Sequence, residues 1–168
     1  IAAGVGGVAK YSDDWGTTWW TCDIPQTVTY GPAYIGPSGR LYIPSDNGLF
    51  VSDDNAETFR PFPVTDVPGY TPTILETRSG TIFVATDYAL YRSTDDGASW
   101  MAVADFSFGL SIGQTPSGAI LLARADSGVW ASRDTGTTWQ QTALKTEYVI
   151  TIAGLPPTIT LAAEQALG

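Results

Sequence analysis

The sequence predicts an all-β chain in which one supersecondary unit repeats along the length, and three observations carry that prediction. An eight-residue pattern, Ser-x-Asp followed by a small turn and an aromatic, occurs four times: SDDWGTTW at Ser12, SDDNAETF at Ser52, STDDGASW at Ser93 and SRDTGTTW at Ser132. Its leading serines stand 40, 41 and 39 residues apart. A second pattern runs in phase, as PSGRLYI at Pro37, RSGTIFV at Arg78 and PSGAILL at Pro116, and a third falls between them, as SDNGLF at Ser45, DYALY at Asp87 and ADSGVW at Ala125. Self-similarity at a fixed period marks a repeat architecture. Each pattern is a polar turn between alternating apolar residues, which predicts a hairpin.

The repeat containing TPTILET shows the elements in order. TPTILET is an inner strand that turns at Ser79-Gly80 into a second strand, TIFVAT. A turn at Asp87-Tyr88-Ala89 leads to a third strand, LYRS, and the eight-residue pattern leads to an outer strand, WMAVA. β-branched and aromatic residues fill the strands, while Gly, Asp, Ser and Pro fill the turns. No stretch holds a 3.6-residue period long enough for a helix. Four strands in each repeat of this length make one blade of a β-propeller. The blade units fall at about 1–26 (partial), 27–66, 67–106, 107–145 and 146–168 (partial), within a single propeller segment. The first unit starts at a second strand and the last stops after one. The expectation is therefore about four blades' worth of a ring of six to eight, with a closed four-bladed ring as the alternative.

The pattern Ser-x-Asp-x-Gly-x-Thr-Trp resembles the Asp-box, or BNR repeat. That repeat occurs in sialidases, xyloglucan-cleaving glycoside hydrolases, sortilin-type receptors and photosystem II assembly factors. The copies at Ser12 and Ser132 match at every fixed position, whereas the third has Ser99 for Thr and the second has Ala56 for Gly and Phe59 for Trp. The repeats cover almost the whole chain. Function does not follow from the resemblance, because these repeats serve many activities.

A carboxylate in a tight turn accepts backbone N–H bonds that the reversed chain would otherwise leave unpaired. Asp14, Asp54, Asp95 and Asp134 are predicted to do this, with hydroxyl bonds from Ser12, Ser52, Ser93 and Ser132. Gly16, Gly97 and Gly136 permit a positive φ. Trp19, Phe59, Trp100 and Trp139 are expected to fold back over the hairpin and seal it between blades. Each blade needs such a clasp, whereas a catalytic acid is needed once. Four equivalent copies on separate blades cannot converge on one substrate. The resemblance further implies that the box sits away from the ligand face. No catalytic residue and no metal ligand is assigned to it.

The chain carries a net charge of −9 and a sequence pI near 4.1, and seven of its seventeen acidic residues are aspartates of the boxes. Nucleic acid is not an expected partner, because phosphate contacts need clustered Lys and Arg, and Lys10 and Lys145 are the only lysines. Cys22 is the only cysteine and histidine is absent. An intrachain disulfide, a thiolate metal site and a Ser-His-Asp triad are therefore excluded within this chain. No cofactor is expected. No uninterrupted apolar run is long enough for membrane insertion, the most apolar stretch being broken at Pro156-Pro157. Low Lys with frequent Thr, Gly, Trp and Tyr leans toward an extracellular, cell-surface or virion protein.

The opposite face, built from second turns and interblade loops, is the candidate ligand face. Its recurring residues are Tyr30, Tyr70, Phe108 and Tyr148 at the inner-strand starts, and Asp46, Asp87 and Asp126 at the second turns, with Tyr88 and Arg124 beside them. The aromatics suit stacking on sugars but also the packing that every repeat shares. The aspartates could ring a cation, yet Asp also simply favours hairpin turns. The arginine triad that a sialidase resemblance implies is not found, since only Arg124 falls near this face. Glycoside hydrolysis needs just two opposed carboxylates, and Asp66 with Asp105 is a pair that no motif singles out. The sequence thus points to a non-catalytic module binding glycan or protein through its loop face, as part of a longer chain or larger assembly. A glycoside hydrolase with catalytic residues partly outside these residues is the alternative.

Overall fold

A computed structural model describes residues 2–5, 8–24, 33–45, 48–64, 73–86, 88–104, 109–145, 149–154 and 160–164. Among the described residues seventeen strands form five antiparallel sheets, and no helix occurs. The first sheet holds β1 (Ala2–Val5), β2 (Val8–Tyr11) and β3 (Trp20–Thr21). The second holds β4 (Tyr34–Ile35), β5 (Leu41–Ser45), β6 (Gly48–Ser52) and β7 (Arg60–Phe62). The third holds β8 (Thr73–Glu76), β9 (Ile82–Ala85), β10 (Leu90–Ser93) and β11 (Met101–Ala104). The fourth holds β12 (Gly109–Gln114), β13 (Ile120–Arg124), β14 (Gly128–Ser132) and β15 (Gln140–Gln141). β16 (Val149–Gly154) and β17 (Thr160–Glu164) form the fifth. Every four-stranded sheet is an up-and-down meander in chain order, so tight turns alone connect its strands.

Register repeats from sheet to sheet. In the three four-stranded sheets the box serine pairs with the first residue of the second strand: Ser52 with Leu41, Ser93 with Ile82 and Ser132 with Ile120. The hydrophobic pattern makes this register costly to shift, since a one-residue slip would exchange the two faces of a strand.

The core lies between sheets rather than inside any one of them. Cys22, Leu41, Ile43, Phe50 and Ala56 cluster between the first and second sheets. Tyr42, Val51, Phe62, Ile74 and Val84 cluster between the second and third. Leu75, Phe83, Leu90, Ile112 and Leu122 cluster between the third and fourth. Second strands are therefore covered on both faces: β5 and β9 are buried at every position. This explains why RLYI and TIFV read as nearly continuous apolar runs instead of strict alternation.

Polar latches cross the same interfaces. Arg40 pairs with Asp53 of its own sheet at 2.6 Å and with Asp96 of the next. Arg92 donates to Thr135 O at 2.9 Å and Thr137 Oγ1 at 3.2 Å in the following sheet. Arg78 reaches Thr115 O and Pro116 O, each at 3.2 Å. Glu76, almost wholly buried, accepts from Ser38 Oγ at 2.8 Å and Tyr42 OH at 3.1 Å in the preceding sheet.

Candidate functional site

The box turns share one hydrogen-bond scheme. Ser12, Ser52, Ser93 and Ser132 are buried, and each Oγ donates to Oδ1 of the Asp two residues on, at 2.8–2.9 Å. The same oxygen accepts the backbone N–H four residues on, from Gly16, Ala56, Gly97 or Gly136, again at 2.8–2.9 Å. The Asp Oδ1 accepts the amide of Thr18, Thr58, Ser99 or Thr138 at 2.8–2.9 Å. That residue's hydroxyl donates to Oδ2. Both oxygens of every box carboxylate are thus bonded to the chain's own turn. Ser99 makes the same bonds as Thr, so a hydroxyl is all the position requires.

These bonds stabilise the ionised carboxylate. The Thr18, Thr58 and Thr138 hydroxyls, followed by the amides of the same residues, hold Asp14, Asp54 and Asp134 down to about 2. The Ser99 hydroxyl and amide depress Asp95 in the same direction.

Two consecutive residues in each turn take the left-handed conformation. The first is Trp15, Asn55, Asp96 or Thr135, with φ between 57° and 62°; the second is Gly16, Ala56, Gly97 or Gly136. The sequence reading found the second position and missed the first. Asn55 and Asp96 tolerate it as residue types, while nothing in composition marks Trp15 or Thr135.

The box aromatics do not all close the same way. Trp19 and Trp139 donate Nε1–H to Gly16 O and Gly136 O of their own turns, at 3.1 and 3.2 Å. Trp100 instead reaches back to Pro63 O of the preceding sheet at 2.8 Å and packs edge-on to Phe62. Phe59 has no N–H and sits against the first interface cluster.

At the other end of the hairpins, the described part of the candidate ligand face consists of Tyr88, Arg124 and Asp126. Thr86 Oγ1 accepts from the amides of Tyr88 and Ala89 and donates to Ala89 O, so a buried hydroxyl braces the turn that holds Tyr88 outward, 59% exposed. Arg124 pairs with Asp126 at 3.0 Å, and Ser127 Oγ donates to the same carboxylate. Ser127 in turn accepts from Trp130 Nε1. The structure thus brings Arg124 and Asp126 together and places Tyr88 on a separate blade. Tyr30, Asp46, Tyr70, Asp87, Phe108 and Tyr148 lie outside the described residues, as do Asp66 and Asp105. No group of three metal-ligating side chains occurs among the described residues. Burial pushes the Cys22 thiol up, away from reactivity.

No family model matches the chain, and no curated protein does. Solved structures match over nearly the whole chain. YCF48 bound to D1 peptide aligns with a TM-score of 0.64 at 18% identity, over 92% of this chain and 53% of that one. The extracellular domain of BT4673 from B. thetaiotaomicron aligns at 0.75 and 12%, over 97% of this chain and 24% of that one. Virginiamycin B lyase from Staphylococcus aureus aligns at 0.68 and 14%, over 94% and 56%. The fold is a β-propeller. Its four-stranded sheets are blades, and the described residues form an open run of them. The chain spans about half of YCF48 and a quarter of the BT4673 domain, and identities this low carry fold and nothing finer.

Proposed function

We propose that this chain is part of a non-catalytic Asp-box propeller of six to eight blades, displayed outside the cell, that binds a protein ligand through its second-turn face. The carrying observation is a division of labour between the two ends of each hairpin. At the box end Asp14, Asp54, Asp95 and Asp134 are closed on the chain's own amides and hydroxyls. At the opposite end a buried hydroxyl braces a turn that holds an exposed phenol clear of the fold. Rigid turns presenting aromatic side chains suit recognition with little ordering cost. The peptide held by YCF48 supports a protein ligand, and the extracellular BT4673 domain supports the location.

The test is binding of the intact protein to a peptide library and a glycan array side by side, with Tyr88→Ala as the site variant. The reading expects peptide binding that falls at least about tenfold in Tyr88→Ala and persists in Thr18→Ser, which retains a box hydroxyl. Glycan capture without peptide capture replaces the ligand class. Turnover of sialyl or glucan substrates establishes the hydrolase alternative instead.

A further inference from the structure

The first turns of the second and third blades depart from the repeat together, at one spot. The inner-strand residue that pairs with the first residue of the second strand is Ile35 in the second blade, Glu76 in the third and Gln114 in the fourth. The residue after it is Thr77 in the third blade and Thr115 in the fourth. Each Oγ1 braces its own turn, donating to the carbonyl four residues on and pairing with the hydroxyl of Ser79 or Ser117. The second blade has Gly36 there and gives up that brace. A methyl on Gly36 would collide with Oε2 of Glu76. Ser38, which stands where Ser79 and Ser117 do, donates to that oxygen at 2.8 Å instead, and Tyr42 OH joins it at 3.1 Å. Tyr34 OH holds the Glu76 backbone, donating to its carbonyl and accepting from its amide. Burying a carboxylate is costly, and turn stability alone would keep the threonine.

Among the described residues, both bonds to the Glu76 side chain end on Oε2. Oε1 has no partner there, yet it is not sealed from solvent, although the residue is only 6% exposed. Glu76 borders a cleft of about 610 Å³ between the two turns, and with Pro37 and Arg78 it also borders an adjoining one of about 360 Å³ over Tyr34, Leu75 and Ile112. Arg78 Nη1 donates to Thr115 O and Pro116 O, while its Nε and Nη2 have no partner among the described residues. The two opposite charges, two residues apart, enter none of the ion pairs among the described residues. Both blades have a described sheet on either side, so the cleft is interior to the run of blades. A single open carboxylate oxygen suits an ammonium rather than a guanidinium fork, which takes two, and calcium needs about six to eight oxygens. The open Nε and Nη2 edge of Arg78 suits a carboxylate. We infer that this cleft, on the box side of the fold, binds a free α-amino acid with an apolar side chain. Its ammonium lies on Glu76, its carboxylate on Arg78 and its side chain against Tyr34, Leu75 and Ile112. Clefts of these volumes hold small ligands. The site is separate from the second-turn face and does not rest on it.

Calorimetric titration of the intact chain with L-leucine up to about 10 mM reads affinities into the millimolar range. L-Leucine is expected to bind at a single site. 3-Methylbutylamine lacks its carboxylate and 4-methylpentanoate lacks its ammonium, and each is expected to bind at least ~10-fold more weakly, the loss of one charged hydrogen bond. Glu76→Gln keeps an oxygen acceptor for Ser38 and Tyr42, so it keeps the fold by circular dichroism and loses leucine affinity ~30-fold or more, as removal of one member of a buried charge pair does. Arg78→Met keeps the apolar stem and weakens binding ~10-fold or more. Should either variant fail to fold, the two analogues decide the matter on the wild type. Leucine that does not bind in this range, an analogue that binds as tightly as leucine, or a folded variant that binds as the wild type does each overturns the inference.

Discussion

Ser93 Oγ donates to Asp95 and accepts from the Gly97 amide, both at 2.8 Å and out of solvent, and this double use of one hydroxyl sets the energetics of the turn. Ser93→Ala removes the acceptor of the buried Gly97 amide, which costs about 1–3 kcal/mol. Urea unfolding is expected to show that loss, while Thr138→Ser, which keeps its hydroxyl, unfolds near the wild-type midpoint. The carboxylates make the turn pH-sensitive in a defined direction. A folded-state pKa below the unfolded value of about 3.9 gives stability that is complete above that value. It is lost as pH falls toward about 2, where Asp14, Asp54 and Asp134 titrate in the fold. Acid unfolding monitored by circular dichroism should therefore set in across that window, and Asp134→Asn should be less stable at neutral pH and less sensitive within it.

At the scale of strand and turn, the second left-handed position co-adapts with the blade before it. Gly97 faces Phe62 and Gly136 faces Phe83, whereas Ala56 shares a buried cluster with Cys22, which stands at the Phe62 position of the first blade. A small thiol there leaves room for the Ala56 methyl. Gly136→Ala adds a left-handed backbone cost to a ring clash and is expected to destabilise by about 2–4 kcal/mol in chemical denaturation. Cys22→Phe should be destabilising alone and substantially rescued by Ala56→Gly, a positive coupling of about 1 kcal/mol or more in the double-mutant cycle; additive effects would show that the two positions do not meet. The repeated turns were legible in the sequence because Gly, Asp and Ser are demanded locally. The departure of Ala56 from the box pattern was visible there, but its cause was not, since Cys22 lies far away in the chain and meets it only through packing.

For the whole molecule, stability resides between blades, and arginines that sequence reasoning judged only against a substrate role prove to be latches. Arg40 is mostly buried and ties two boxes, so Arg40→Ala should lower stability by about 1–2 kcal/mol. Lys10→Ala, on a strand of the first blade and in none of the ion pairs among the described residues, should stay within about 0.5 kcal/mol of wild type in the same titration. Fold class and strand order were readable from period and turn chemistry. The latches were not, because an arginine's partner depends on how successive sheets stack and no local pattern encodes that. Of the residues proposed for the ligand face, Tyr88, Arg124 and Asp126 are among those described, and the Arg124–Asp126 pairing and the Thr86 brace beneath Tyr88 follow only from three dimensions. The box carboxylates serve the chain itself, and carboxyl titration by NMR, with and without calcium, tests this most directly. Asp14, Asp54 and Asp134 are predicted to titrate near 2 and to ignore the cation; titration at the ordinary value of about 3.9, or shifts that saturate with added calcium, would contradict it.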